Sequence, residues 1–258
     1  MPVEDPVGGD EGMTDTGDMT YRMAPLEVRP LTQADLDWAV DLTRQRRERL
    51  EVHAPRFWRA AADATERHRA FLSHLIDDAA TLSVRTEHGY LVAMDPGPYL
   101  LVDDMTVEPA EHWAGEGVAL LRHAAALGRL RFVVPGPESE RLDAALDLGL
   151  EPVEIWWHRD LEPFTGLNVV SEDKSISVDG AEGLLVPAPP VYDPGGPILL
   201  VTSVETPEAL ARVEQSAARR GARVSVVPQL PADVGLSRLL NAAGYTLTTF
   251  FFLTPAAD

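Results

Sequence analysis

The chain contains one pattern twice. Residues 81–102 read TLSVRTEHGYLVAMDPGPYLLV and residues 175–201 read SISVDGAEGLLVPAPPVYDPGGPILLV; both run S-V, Gly, an apolar stretch, D-P-G and L-L-V. AALGRLRFVVP at 125–135 is answered by AARRGARVSVVP at 217–228, and LGLEPVEIWW at 148–157 by AGYTLTTFFF at 243–252. A sequence that repeats at this length must build one supersecondary unit twice. The offset between copies is 94 at Ser83/Ser177 and Gly89/Gly183, 99 at Leu100/Leu199 and 93 at Val133/Val226. Between the L-L-V and V-V-P strands, the second copy is therefore six residues shorter. The missing piece corresponds to Pro109–Gly117, a Gly-bearing turn that opens a helix. Backbone N–H groups converge on anions at such places, so the first copy keeps a candidate ligand loop that the second lacks.

Length and composition narrow the function classes. A chain of 258 residues with 45% hydrophobic residues can bury a large core. Its net charge of −19 argues against nucleic acid and anionic membrane as partners, since both need a basic footprint. The absence of cysteine excludes disulfides, thiolate metal sites and cysteine nucleophiles. No apolar run approaches the length of a membrane span. The acidic, Gly-rich start over residues 1–24 lacks the apolar centre of a signal peptide and reads as a disordered tail. The expectation is a cytoplasmic protein.

Periodicity gives the elements. Leu26–Pro30 alternates as a short strand. Thr32 with Asp35 three residues on predicts a helix start, and Leu36, Ala39, Val40, Leu42 and Leu50 lie on one face of a helix ending near Glu51. A second helix is predicted over 65–77. Strands are expected at 81–86, 89–94 and 98–107, a helix at 115–128, a strand at 131–135, a helix at 138–148 closed by Gly149, and a strand at 153–161. The linker falls at 164–174. The second copy gives strands near 175–178, 183–187 and 197–204, a helix at 207–220 capped by Thr206 with Pro207 in its first position, a strand at 223–227, a helix at 233–243 and a strand at 245–253. It has no counterpart of the first two helices.

This order, with YLLVDDMTVEP (99–109) leading into HWAGEGVALL (112–121) and LGLEP at 148–152, resembles the GNAT N-acyltransferase superfamily over residues 26–162. The resemblance implies an α/β fold with a mixed, mostly antiparallel sheet flanked by helices. It makes 25–163 an acyltransferase domain and 175–258 a truncated repeat without the cofactor loop. It also implies acetyl-CoA or another acyl-CoA as donor and a small-molecule or peptidic amine as acceptor. The family's loop has the form R-G-x-G-x-G. Here His112 stands for the Arg, Trp113 for the first Gly, and Gly115 and Gly117 for the later two, with Ala114 and Glu116 between them. Met105, Thr106 and Val107 fall on the strand whose backbone polarises the thioester. The family's Tyr acid is Ala145 here.

Other candidates follow from residue chemistry. In a regular strand Asp103 and Asp104 point to opposite faces, so one can face the acceptor; Asp104 is the candidate base and Asp103 a substrate contact. His53 and Trp58 lie in the link between the first two helices, which in the family walls the acceptor site. No H-x-x-H or H-E-x-x-H array is present, so no metal is expected. The loop chemistry predicts that Gly117→Glu abolishes CoA binding with the fold intact. Two functions remain open: an acyltransferase, or a non-catalytic protein with a CoA-sensing, structural or interaction role.

Overall fold

The computed structural model describes residues 26–166 and 173–255. The tail expected over 1–24 and much of the expected linker lie outside the described residues. The first copy comprises β1 (Arg29–Pro30), α1 (Leu36–His53), α2 (Ala64–Asp77), β2 (Leu82–Arg85), β3 (Gly89–Met94), β4 (Leu100–Val107), α3 (Val118–Ala125), β5 (Leu130–Pro135), α4 (Ser139–Asp147) and β6 (Glu151–Asp160). The second comprises β7 (Ser175–Val178), β8 (Ala181–Val186), β9 (Ile198–Val204), α5 (Pro207–Arg219), β10 (Val224–Gln229), α6 (Val234–Ala242) and β11 (Thr246–Leu253). From β2 onward the two copies have the same element order. No helix among the described residues is long and apolar enough to cross a membrane.

The expected start and stop signals operate. Asp35 accepts from the Thr32 backbone N–H at 3.0 Å and from its hydroxyl at 2.8 Å, so α1 begins after a tight turn at Gln33–Asp35. The Thr206 hydroxyl accepts from the Ala209 N–H at 3.1 Å ahead of Pro207. Gly149 and Gly244, equivalent in the two copies, end α4 and α6 at φ +69° and +77°, the left-handed region that favours glycine. The predicted strand at 26–30 shortens to Arg29–Pro30, which pairs with Val84 and Arg85.

The eleven strands form one sheet in the order β1-β2-β3-β4-β5-β11-β6-β10-β9-β8-β7. All neighbours are antiparallel except β4–β5 and β9–β10. The closing strands are exchanged between copies. β11 of the second copy lies beside β5 of the first, with Phe251 opposite Val133. β6 of the first lies beside β10 of the second, with His158 opposite Val226. β6 and β11 pair with each other at the centre. Each copy completes the other's sheet, around a pseudo-twofold between β6 and β11.

Helices cover both faces of the first half. On one face Leu120 and Leu121 of α3 and Ala144 and Ala145 of α4 pack on Leu91, Met105, Phe132 and Phe252. On the other, Ala39 and Val40 of α1 and Leu72 and Leu75 of α2 pack on Tyr90 and Val92. In the second half α5 and α6 cover one face. The opposite face, lacking counterparts of α1 and α2, packs Ile198, Val224 and Val226 against Phe57 and Trp156.

Candidate active site

β4 both opens the sheet and carries the candidate carboxylates. It pairs with β5 only at Leu100, Leu101 and Val102, so from Asp103 to Val107 its edge diverges from β5. The register against β3 also shifts here: Asp104 faces Val92 while Val102 faces Ala93. Asp103 is thus the extra residue of a bulge. A bulge breaks the two-residue alternation, and this corrects the expectation of opposite faces: Asp103 and Asp104 both line one pocket.

That pocket has a volume of about 460 Å³. α1 contributes Thr43, Arg46 and Arg47, α2 contributes Arg67, His68 and Phe71, and the second copy contributes Pro189 to Tyr192. The offset change from 94 to 99 makes the β8–β9 connection five residues longer than its counterpart in the first copy. This longer loop lies across the α1–α2 link. Ala61 N–H donates to Val191 O at 3.0 Å, Asp193 N–H to Arg59 O at 2.9 Å, and Arg67 to Pro190 O at 3.2 Å.

Asp104 is the hub of the pocket's floor. His68 Nε2 lies 2.5 Å from its Oδ2, and the Tyr90 hydroxyl donates to the same oxygen at 2.6 Å. Tyr90 in turn meets Thr43, whose hydroxyl lies 3.1 Å from that of Thr106. Burial alone pushes the Asp104 carboxyl up, but His68, Tyr90 and Arg46 together hold it below the usual aspartate range. Burial pushes Asp103 up, and the neighbouring Asp104 charge adds to this. Burial likewise pushes the Tyr192 phenol up, against the pull of Arg46 and Arg47. His68 Nδ1 is buried without a hydrogen-bond partner. Sequence reasoning missed His68, which sits on the buried face of α2 with Ala64, Leu72 and Leu75 and has no motif to mark it.

The gap between β4 and β5 holds Arg141 from α4. Its guanidinium donates to Met105 O at 2.7 Å and to Val133 O at 2.8 Å, and lies over Phe132 at 4.4 Å. Burial and the nearby Arg46 pull its pKa down to about 9, against the opposing pull of Glu138, so it stays cationic at neutral pH. Met105, Thr106 and Val107 are fully buried, and Ala145 points from α4 into the core.

The candidate loop is wound rather than open. Ala110–His112 forms a tight turn and Trp113–Gly117 a wide π-type turn running straight into α3. The Val118 N–H bonds back to Trp113 O and Gly115 O. Trp113 is buried against Gly117, where a Cβ would overlap its ring. Any side chain at 117 therefore displaces Trp113, so Gly117→Glu disturbs the packing as well as any ligand. Ala114 and Gly115 are exposed. Glu116 turns inward, taking the His88 N–H at 2.8 Å on Oε2, with His88 Nδ1 at 2.6 Å and His112 Nδ1 at 3.4 Å from Oε1.

His88, His112 and Glu116 bring three potential metal-ligand atoms within 4.8 Å of one another. The two rings, however, stack in parallel 3.7 Å apart. Both Nδ1 atoms approach the same oxygen, Glu116 Oε1, so the carboxylate occupies the space between the ring edges. His53 is exposed at the end of α1. Trp58 packs on Phe57 and on Tyr192, 5.4 Å between ring centres for the latter, so it supports the pocket wall through Tyr192.

No family model matches this chain, and no curated protein does. Solved structures do. A candidate acetyltransferase from Thermoplasma acidophilum aligns with TM-score 0.52 at 11% identity, over 90% of this chain and 100% of its own. One from Pyrococcus horikoshii gives 0.52 at 12%, over 92% and 91%. A GCN5-related N-acetyltransferase from Sphaerobacter thermophilus gives 0.51 at 13%, over 90% and 97%. At these identities the likeness is one of fold: the chain has the GNAT fold, in a tandem arrangement spanning nearly the whole of these proteins.

Proposed function

We propose that this protein is an acyl-CoA-dependent N-acyltransferase, with acetyl-CoA as the first donor to test and a small-molecule or peptidic amine as acceptor. The observation that carries the reading is the His68–Asp104 pair, set at the floor of a pocket on the strand residue next to Met105. An ionised Asp104 takes the Nε2–H of His68 and leaves Nδ1 as the lone-pair nitrogen, the arrangement of an oriented general base. Asp104 is then the positioning carboxylate and His68 the base, which refines the assignment of Asp104 as base. Asp103 faces the same space and suits an ammonium group.

The donor fits one part of its expected site better than the other. Beyond Val102 the β4 edge is free of β5, which suits an extended arm rich in amide groups; Arg141 must withdraw from Met105 O to admit it. At the helix start, Trp113 fills the space over Gly117, and the donors at hand are backbone N–H groups. In the transfer, the amine nitrogen attacks the thioester carbon, His68 takes the amine proton, the C–S bond breaks, and the thiolate gains a proton from water, no Tyr standing at 145.

Arg141 and Trp113 favour a second reading: a GNAT-fold protein that has closed its cofactor cleft and serves a CoA-sensing, structural or interaction role. Turnover decides between them. Release of free CoA from acetyl-CoA should depend on an added amine, and His68→Gln should reduce it by about 10²–10⁴-fold with the fold intact by circular dichroism. Equal rates in wild type and His68→Gln exclude His68 as the base.

A further inference from the structure

Arg47 is a cation without a counter-charge. It is only 5% exposed, lies on the pocket face of α1 with Thr43 and Arg46, and lines the pocket. Its Nη2 is fully enclosed with no hydrogen-bond partner. Among the described residues it makes no hydrogen bond or ion pair. The other arginines here are engaged: Arg46 holds Glu138 through contacts of 2.6 and 2.9 Å, and Arg67 holds Asp63 at 2.7 Å and Pro190 O. A buried guanidinium left unpaired is strongly unfavourable, and such cost is retained where a ligand supplies the partner. Asp103 lines the same pocket, and among the described residues it too makes no hydrogen bond or ion pair. The pocket is therefore lined by one buried cation, Arg47, and one solvent-exposed carboxylate, Asp103, neither with a partner among the described residues, beside His68.

We infer that the acceptor is an amine that also carries a carboxylate, an amino acid or a close analogue. Its carboxylate binds the Arg47 guanidinium, whose planar fork matches a carboxylate with two parallel hydrogen bonds. Its ammonium lies at Asp103 within reach of His68. This rests on the reading of the pocket as the acceptor site. It excludes simple polyamines, which would set a second cation against Arg47.

The test needs no acyl donor. Full-length protein is screened by thermal unfolding and calorimetry against the protein amino acids and their carboxamides, which keep the amine and lose the negative charge. At least one amino acid should bind, with its carboxamide weaker by about 10–100-fold. Arg47→Met should lose that preference. It should also raise the melting temperature of the ligand-free protein, because it removes an unpaired buried charge; a merely structural Arg47 would give the opposite sign. Arg47→Lys keeps a charge but not the fork, and should bind more weakly than wild type. Carboxamides binding as well as acids, no amino acid binding at all, or an Arg47→Met protein that melts lower and binds unchanged would each overturn the inference. Selective amino-acid binding with no acylated product once acetyl-CoA is added supports the anion site and removes the transferase reading.

Discussion

Arg159 and Glu214 tie the two copies together through one ion pair. Arg159 leaves β6 of the first copy, donates to Ala243 O at 2.7 Å, and pairs with Glu214 on α5 of the second. Glu214 is 3% exposed and also accepts from the Tyr245 hydroxyl at 2.6 Å. Burial pushes its carboxyl above the usual 4.5, more than Tyr245 and Arg159 pull it down. Between 4.5 and that raised value the folded chain holds more protons than the unfolded one, so stability falls as pH rises and returns on acidification. Arg159→Ala leaves the carboxylate buried with no cation. Urea unfolding should show a loss of about 2 kcal/mol at pH 7, less than for a fully buried pair because Arg159 is partly exposed. The deficit should shrink as pH is lowered and Glu214 protonates; a deficit that does not change with pH contradicts this account. At this scale the sequence reveals residue types but not their directions. Alternation placed Asp103 and Asp104 apart because nothing in D-D marks a bulge. His68 looks like any polar residue on a helix, and only its place opposite Asp104 gives it a role.

The closing strands govern how the elements associate. β5 pairs with β4 on one edge only; its other edge has no neighbour from its own copy and is covered by β11, and β10 is covered by β6. Residues 1–163 alone would present the bare edge of β5 and an unpaired β6, both templates for aggregation. That segment should therefore be insoluble or unfolded alone and recover native-like circular dichroism when mixed with residues 164–258. A soluble, monomeric and cooperatively folding first segment would count against the exchange. The elements themselves were legible, because caps at Thr32, Thr206 and Gly149 and clean apolar periodicity mark them locally. The exchange was not. β6 and β11 carry the same kind of apolar pattern, and either would fit beside β5; partner choice depends on the whole sheet.

Across the molecule, the repeat explains both what the second copy lacks and what it adds. Its loss of six residues removes the wound turn before α3, and its gain of five builds the loop that walls the Asp103–Asp104 pocket of the first copy. The offsets made both legible as numbers, but only the folded chain shows that the gain serves the pocket. The fold's order of elements was readable in the same way. The filling of the gap between β4 and β5 was not, since no local pattern predicts Arg141 bridging two diverging strands. That gap is where the account is most exposed. Thermal unfolding of the full chain with acetyl-CoA in excess tests it directly. A donor at 100 times its dissociation constant stabilises by about 2.7 kcal/mol, a rise of about 5–10 °C for a chain of this size. The account predicts that rise; an unchanged melting temperature at millimolar acetyl-CoA would contradict it and leave the gap closed by Arg141.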